Sequence, residues 1–212
     1  MHLVRVAHSL VLNGEHCYLD STDECYYMSL YNCRHRSTSR SFVLSLKRGY
    51  EPAITRAAAW LSLTLPQSWL QTCTIVPMPS SLRRDNPIAR VVSHLDASDA
   101  RDLLLQGCDT LSSHSGWRPS PDERAQLLYV NELATEPVPR IVLILDDVLT
   151  TGCHFRAAKK VLRRRWPAVR VVGVFLSRAC SRSQQRCYSR DFCLETANLD
   201  SRDSALRDPP PL

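Results

Sequence analysis

The chain is 212 residues long and carries 27 Lys and Arg against 21 Asp and Glu, a formal charge of +6; 44% of it is hydrophobic and only 7% aromatic. That length suits one generous domain with additions rather than two full domains. The longest apolar runs, at 141–145 and 169–176, fall far short of the roughly 20 residues a membrane-spanning helix needs.

The first residues, Met1-His-Leu-Val-Arg-Val-Ala-His8, lack the basic start and long apolar core of a secretory signal, so a cytoplasmic location is expected. Nine Cys are scattered along the chain with no Cys-x-x-Cys pair. An odd count without metal-type spacing favours free thiols in a reducing compartment over a disulfide framework or a zinc ribbon. The mild positive charge fits a phosphate-rich small molecule or occasional nucleic-acid contact and demands neither.

In chain order, 3–6 and 25–31 read as strands, with the turn Asp20-Ser-Thr-Asp23 between them. Residues 39–48 place Phe42, Val43 and Leu46 on one helical face. Pro52 opens a second helix over 53–65, with Ile54, Ala57, Ala58 and Leu61 at helical spacing. A short strand at 74–76 runs into Pro77-Met78-Pro79-Ser80-Ser81; 87–95 and 98–105 then read as helices, and 107–119 as a long polar loop. Ser120-Pro121-Asp122-Glu123 has the Ser, Pro and Glu of a capping box and predicts a helix to about Leu128.

The clearest unit follows. Ile141-Val-Leu-Ile-Leu145 is an unbroken apolar strand; Asp146-Asp147-Val148-Leu149-Thr150-Thr151-Gly152 leads into a basic amphipathic helix to about Trp166, and 169–176 is the next strand. This is a βαβ crossover, and the alternation of strands and helices predicts an α/β fold with a mostly parallel central sheet flanked by helices. The last residues, from about 198 to the Pro-rich end, are polar and expected to be loosely ordered.

Ligands of open α/β sheets sit beyond the carboxyl ends of the strands, where a helix N-terminus offers N–H groups and a positive dipole end to an anion. Thr150, Thr151 and Gly152 stand where those donors belong. Two adjacent carboxylates just before them would repel the same anion unless they face another part of the ligand, and a sugar diol, with two hydroxyl donors, matches such a pair.

The segment 141–152 resembles the phosphoribosyl-diphosphate (PRPP) loop of the type I phosphoribosyltransferases: an apolar strand, two acids, two residues, then Thr-Thr-Gly. The resemblance implies that family's fold, with Asp146 and Asp147 on the ribose hydroxyls and Val148, Leu149, Thr150, Thr151 and Gly152 on the 5-phosphate. Upstream, Pro77, Met78, Pro79, Ser80 and Ser81, with Arg83 and Arg84 beyond, are similar to the family's diphosphate loop, closest to the ComF-like branch. Between them, 107–119 stands where the family carries a mobile lid, so His114 and Arg118 are candidates to meet the leaving diphosphate or the transition state. Lys47, ending a helix, and Arg178, just past a strand, are cations that could face an acceptor pocket; His154 could add a donor beside the phosphate loop or cap its helix. The basic face of Arg156, Lys159, Lys160, Arg163 and Arg164 reads as solvated in preference to a nucleic-acid stripe. Cys17, Cys25, Cys33 and His35 do not have the spacing of the four-Cys zinc module found in ComF-like proteins.

What the resemblance implies is a Mg-dependent transfer of a 5-phosphoribosyl group from PRPP to an unidentified acceptor with release of diphosphate, the Mg held through PRPP and not by direct protein ligands. The phosphoribosyltransferase-like core would occupy 39–182, a variable segment 1–38 and a C-terminal extension 183–212. No segment matches a base-recognising hood, which leaves the first 35 or so residues to take that place. It also leaves a rival reading: a PRPP-sensing or effector subunit of the same fold in a DNA-uptake, mobile-element or anti-phage defence assembly, with a protein partner or a second copy of the chain.

Overall fold

The computed structural model describes residues 3–6, 17–31, 38–80, 85–107 and 119–179. A mostly parallel sheet lies between two helical layers. Its strands are β1 (Val4–Arg5), β2 (Glu24–Tyr27), β3 (Leu30–Tyr31), β4 (Thr74–Pro77), β7 (Ile141–Leu149) and β8 (Arg170–Ala179), in the order β1-β2-β8-β7-β4 with β3 also on β8. Only β1 with β2 is antiparallel. A separate hairpin joins β5 (Leu104–Gln106) to β6 (Leu128–Val130). The helices are α1 (Thr38–Lys47), α2 (Glu51–Thr64), α3 (Gln67–Thr72), α4 (Pro87–Ser93), α5 (Pro121–Ala125) and α6 (Cys153–Arg165).

Alternation along β7 divides the core. Ile141, Leu143 and Leu145 pack with Ile54, Leu61, Leu70 and Val91 of α2, α3 and α4, whereas Val142 and Ile144 pack with Phe155, Ala158 and Leu162 of α6 and with Leu104 and Leu128 of the hairpin. A strand buried on both faces has to be apolar at every position, and this requirement accounts for the run 141–145.

Several elements differ from the sequence reading. The helix expected at 98–105 is absent; Asp99 instead binds Thr74 Oγ1 and Arg101 through its carboxylate, Ala100 bridges Ile75, and the chain leaves extended into β5. The capping box at Ser120 and Glu123 forms in both directions, but the helix stops at Ala125 because Leu128–Val130 pairs with β5. The strand expected over 25–31 is broken at Met28 and Ser29, where the Ser29 hydroxyl donates to Leu176 O. α3, with its buried Trp69 and Leu70, has no counterpart in the sequence reading. The tail from 198, Cys33 and His35 lie outside the described residues. No described helix is long and apolar enough to cross a membrane. Cys17, Cys25, Cys73 and Cys153 are free thiols.

Candidate functional site

β7 does not end at Leu145 as expected. It stays paired with β8 through Leu149, so the two acids belong to the strand itself, with Asp146 opposite Phe175 and Val148 opposite Ser177. Pairing with an already buried neighbour overrides the loop preference of two consecutive Asp residues. Successive side chains of a strand point to opposite faces, and cations stand near the acids from both helical layers, Lys47 acting on both of them. Lys47, the last residue of α1, places Nζ 2.5 Å from Asp147 Oδ2. Arg124 of α5, 6% exposed, lies on the other side within electrostatic reach of Asp146 and hydrogen-bonded to Cys153. Asp146 Oδ1 also accepts from the Asp147 N–H at 2.8 Å.

The pair is electrostatically unequal. Burial, and then the adjacent Asp147 charge, pushes the Asp146 carboxyl up to about 7, against the pull of Lys47, the Asp147 N–H and Arg124. His154 is pushed down to about 3, first by burial and then by Arg124 and Lys47, so its imidazole is neutral at physiological pH. Burial also raises the Cys153 thiol.

Beyond Leu149 the chain turns through an exposed Thr150 and a partly buried Thr151 to Gly152, which sits at φ +79° and starts α6 without a side-chain cap. A left-handed residue there is best served by glycine, and space gives a second reason. A Cβ on Gly152 would lie 2.6 Å from Leu19 Cγ and Cδ2. The side that glycine opens is thus filled by residues 17–23, which cross the loop: Tyr18 N–H donates to Thr151 O at 2.8 Å. Asp23 ties this strap down. It is fully buried, accepting from Lys159 Nζ at 2.6 Å and Arg156 Nη1 at 2.9 Å, and Arg156 also pairs with Asp20. Asp20 Oδ1 also accepts from the Thr22 N–H and hydroxyl, and these bonds, with Arg156, hold the Asp20 carboxyl far below the usual carboxylate range. The basic face of α6 is therefore not uniformly solvated: Arg156 and Lys159 turn to the strap, Lys160 meets Asp122, and Arg163 and Arg164 are exposed.

The Pro77 loop comes to the same strand end. Pro77 is in register with Leu145, and Met78 N–H donates to Leu145 O at 2.8 Å, so Pro79 and Ser80 leave β4 next to Asp146. Asn86 closes the loop: its amide donates to Met78 O and accepts from Ile88 N–H, capping α4. Ser81, Arg83 and Arg84 lie outside the described residues, as do His114 and Arg118. The expected lid segment has described ends, however. Gly107 N–H donates to Leu127 O at the hairpin, and Cys153 Sγ donates to Pro119 O at 3.2 Å, bringing the far end of the segment to the start of α6.

Arg178 is not beyond its strand. It is the penultimate residue of β8, opposite Leu149, 1% exposed and with its guanidinium over the Tyr27 ring at 5.7 Å. Sequence reasoning missed Arg124, Leu19, Asp23 and Asn86. Only the Asp-Ser-Thr-Asp turn offered a signal, and it marked a turn without showing what the turn would hold. No protein-family model matches the chain, and no curated protein matches it significantly in sequence.

Proposed function

We propose that the chain is a PRPP-dependent phosphoribosyltransferase of the type I fold, moving a 5-phosphoribosyl group to an acceptor and releasing diphosphate. The observation that supports this reading above others is the Asp146–Asp147 pair near the carboxyl end of a central parallel strand, with a glycine in the left-handed region, Gly152, opening α6 just beyond the strand. Carboxylates accept from a ribose diol, and the N-terminus of a thirteen-residue helix attracts a 5-phosphate.

Breaking the C1–O bond builds positive charge on the sugar and negative charge on the diphosphate, so the protein has to hold the ribose, receive the leaving group and exclude water. Asp146 and Asp147 hold the ribose, Thr150 to Gly152 the 5-phosphate, and the loop from Pro77 through Ser81, with Arg84, the diphosphate. His114 and Arg118 belong to the segment that would cover the site. In this reading Mg is carried in by the substrate, held through PRPP and not by direct protein ligands. Bound in that way, Mg supplies charge neutralisation of the diphosphate.

The test is incubation with PRPP and Mg, reading diphosphate release with and without a panel of candidate acceptors, beside PRPP binding by calorimetry. Release that disappears in the Asp146→Asn, Asp147→Asn double variant is the expected result. Binding without turnover for any acceptor would point instead to a PRPP-sensing subunit, and absence of binding would remove both readings.

A further inference from the structure

Lys47 is placed by more than its own helix. Behind it the chain turns at Gly49, at φ +70°, with Gly49 N–H donating to Leu46 O at 2.8 Å. Arg90 of α4 donates from Nη1 to Gly49 O at 3.2 Å and to Asp85 Oδ2 at 3.0 Å. A Cβ on Gly49 would lie 3.3 Å from Arg90 Nη1 and 3.5 Å from Asp85 Oδ2. Asp85 is the residue on which the loop begun at Pro77 returns, one position before its Asn86 closure. The end of α1 is therefore anchored through Arg90 to Asp85, where the proposed diphosphate loop ends, and the Lys47 side chain reaches Asp147.

The two cations near the acids differ in their burial. Arg124 is buried and bound to Cys153, whereas the Lys47 side chain is 49% exposed on a four-carbon stem. The oxygen that Lys47 engages belongs to a carboxylate that a ribose diol would need as acceptor.

Resting on the reading above, we infer that Lys47 is a transferable cation: it holds Asp147 in the structure, and on binding of a phosphoribosyl donor it turns to the diphosphate, releasing the carboxylate oxygen to the ribose. The exchange moves no covalent bond. It exchanges the Asp147 contact for one to the diphosphate and couples arrival of the diphosphate to exposure of the sugar site. Because Lys47 from α1 and Arg124 from α5 are the described cations that favour the ionised form of Asp146, with Lys47 the larger influence, removing Lys47 weakens that support.

The test compares wild type, Lys47→Met and Lys47→Arg for binding of PRPP, inorganic diphosphate and ribose 5-phosphate with Mg, across pH. Lys47→Met should weaken PRPP and diphosphate by about tenfold or more, the loss of one charge-assisted contact. It should leave ribose 5-phosphate within about twofold, since no ion pair then has to open, and the acid limb of PRPP binding should move to higher pH. Lys47→Arg should restore most of the PRPP affinity. If Lys47→Met binds PRPP as wild type does, or loses ribose 5-phosphate in the same proportion, the inference is overturned while the transferase reading stands. If wild type binds neither PRPP nor ribose 5-phosphate, the transferase reading fails and takes the inference with it.

Discussion

Two clusters of carboxylates and cations flank the start of α6, and they are built to opposite ends. Under the strap, Asp23 is fully buried with one oxygen on Lys159 and the other on Arg156, and the Asp20 N–H adds a further bond. At the strand end, two acids stand side by side, one raised by burial and by its neighbour, and their partner Lys47 is half exposed. A buried carboxylate is tolerated when both of its oxygens are paired. The strap cluster meets that condition and acts as a fastener. The strand-end cluster is under more tension, because two adjacent carboxylates repel each other and burial raises Asp146.

The largest effect expected from breaking this comparison is at Asp23. Asp23→Ala leaves Lys159 buried without its carboxylate and should lower stability by about 3–5 kcal/mol, read from urea denaturation. A loss below about 1 kcal/mol, typical of solvated pairs, would mean that the strap is not fastened from within.

How much of this was legible beforehand depends on how local the cause is. The β7, α6 and β8 unit was readable because an unbroken apolar run and a helical period are written in adjacent residues. The continuation of β7 through Asp146 and Asp147 was not, because Asp disfavours strands and only the β8 backbone overrides that preference. The helix wrongly expected at 98–105 had the right apolar spacing, but Asp99 is claimed by Thr74 and Arg101. The strap was invisible for a related reason: Asp23 finds Lys159 and Arg156 more than 130 residues later, and no period records such a pairing. Lys47 was visible as a cation near the site, whereas its contact with Asp147 depends on where α1 ends against the sheet. Arg124 sits in the helix whose capping-box start was read from the sequence, yet nothing local marks it as buried.

A second prediction sharpens the link between the two clusters, since the strap also lies on Gly152. Gly152→Ala forces a side chain against Leu19 and into the left-handed region, at a cost of about 2–3 kcal/mol. Leu19→Ala should remove the steric part, so a double-mutant cycle by denaturation should read a coupling of about 1 kcal/mol or more. Simple additivity would mean that Leu19 does not close over the loop. Under the proposed function, PRPP affinity should fall in Gly152→Ala and recover in part in the double variant, because the strap then positions the helix start.

The smallest expected effect has the opposite sign and distinguishes the open cluster from the closed one. The Asp146 carboxyl is raised in the folded chain, to about 7, above its unfolded value. The folded state therefore holds this proton longer than the unfolded state does, and as pH rises through the window from about 4 to 7 stability declines on this account. Asp146→Asn keeps an oxygen to accept from the Asp147 N–H and has no proton to lose. Its stability should lack that decline, leaving the variant more stable than wild type at pH 8 by about 1 kcal/mol and little different at pH 4. Urea midpoints measured at the two pH values decide the matter. Parallel behaviour of the two proteins would place Asp146 among ordinary solvated carboxylates, and the strand-end pair would then be no more strained than the salt bridges on the surface of α6.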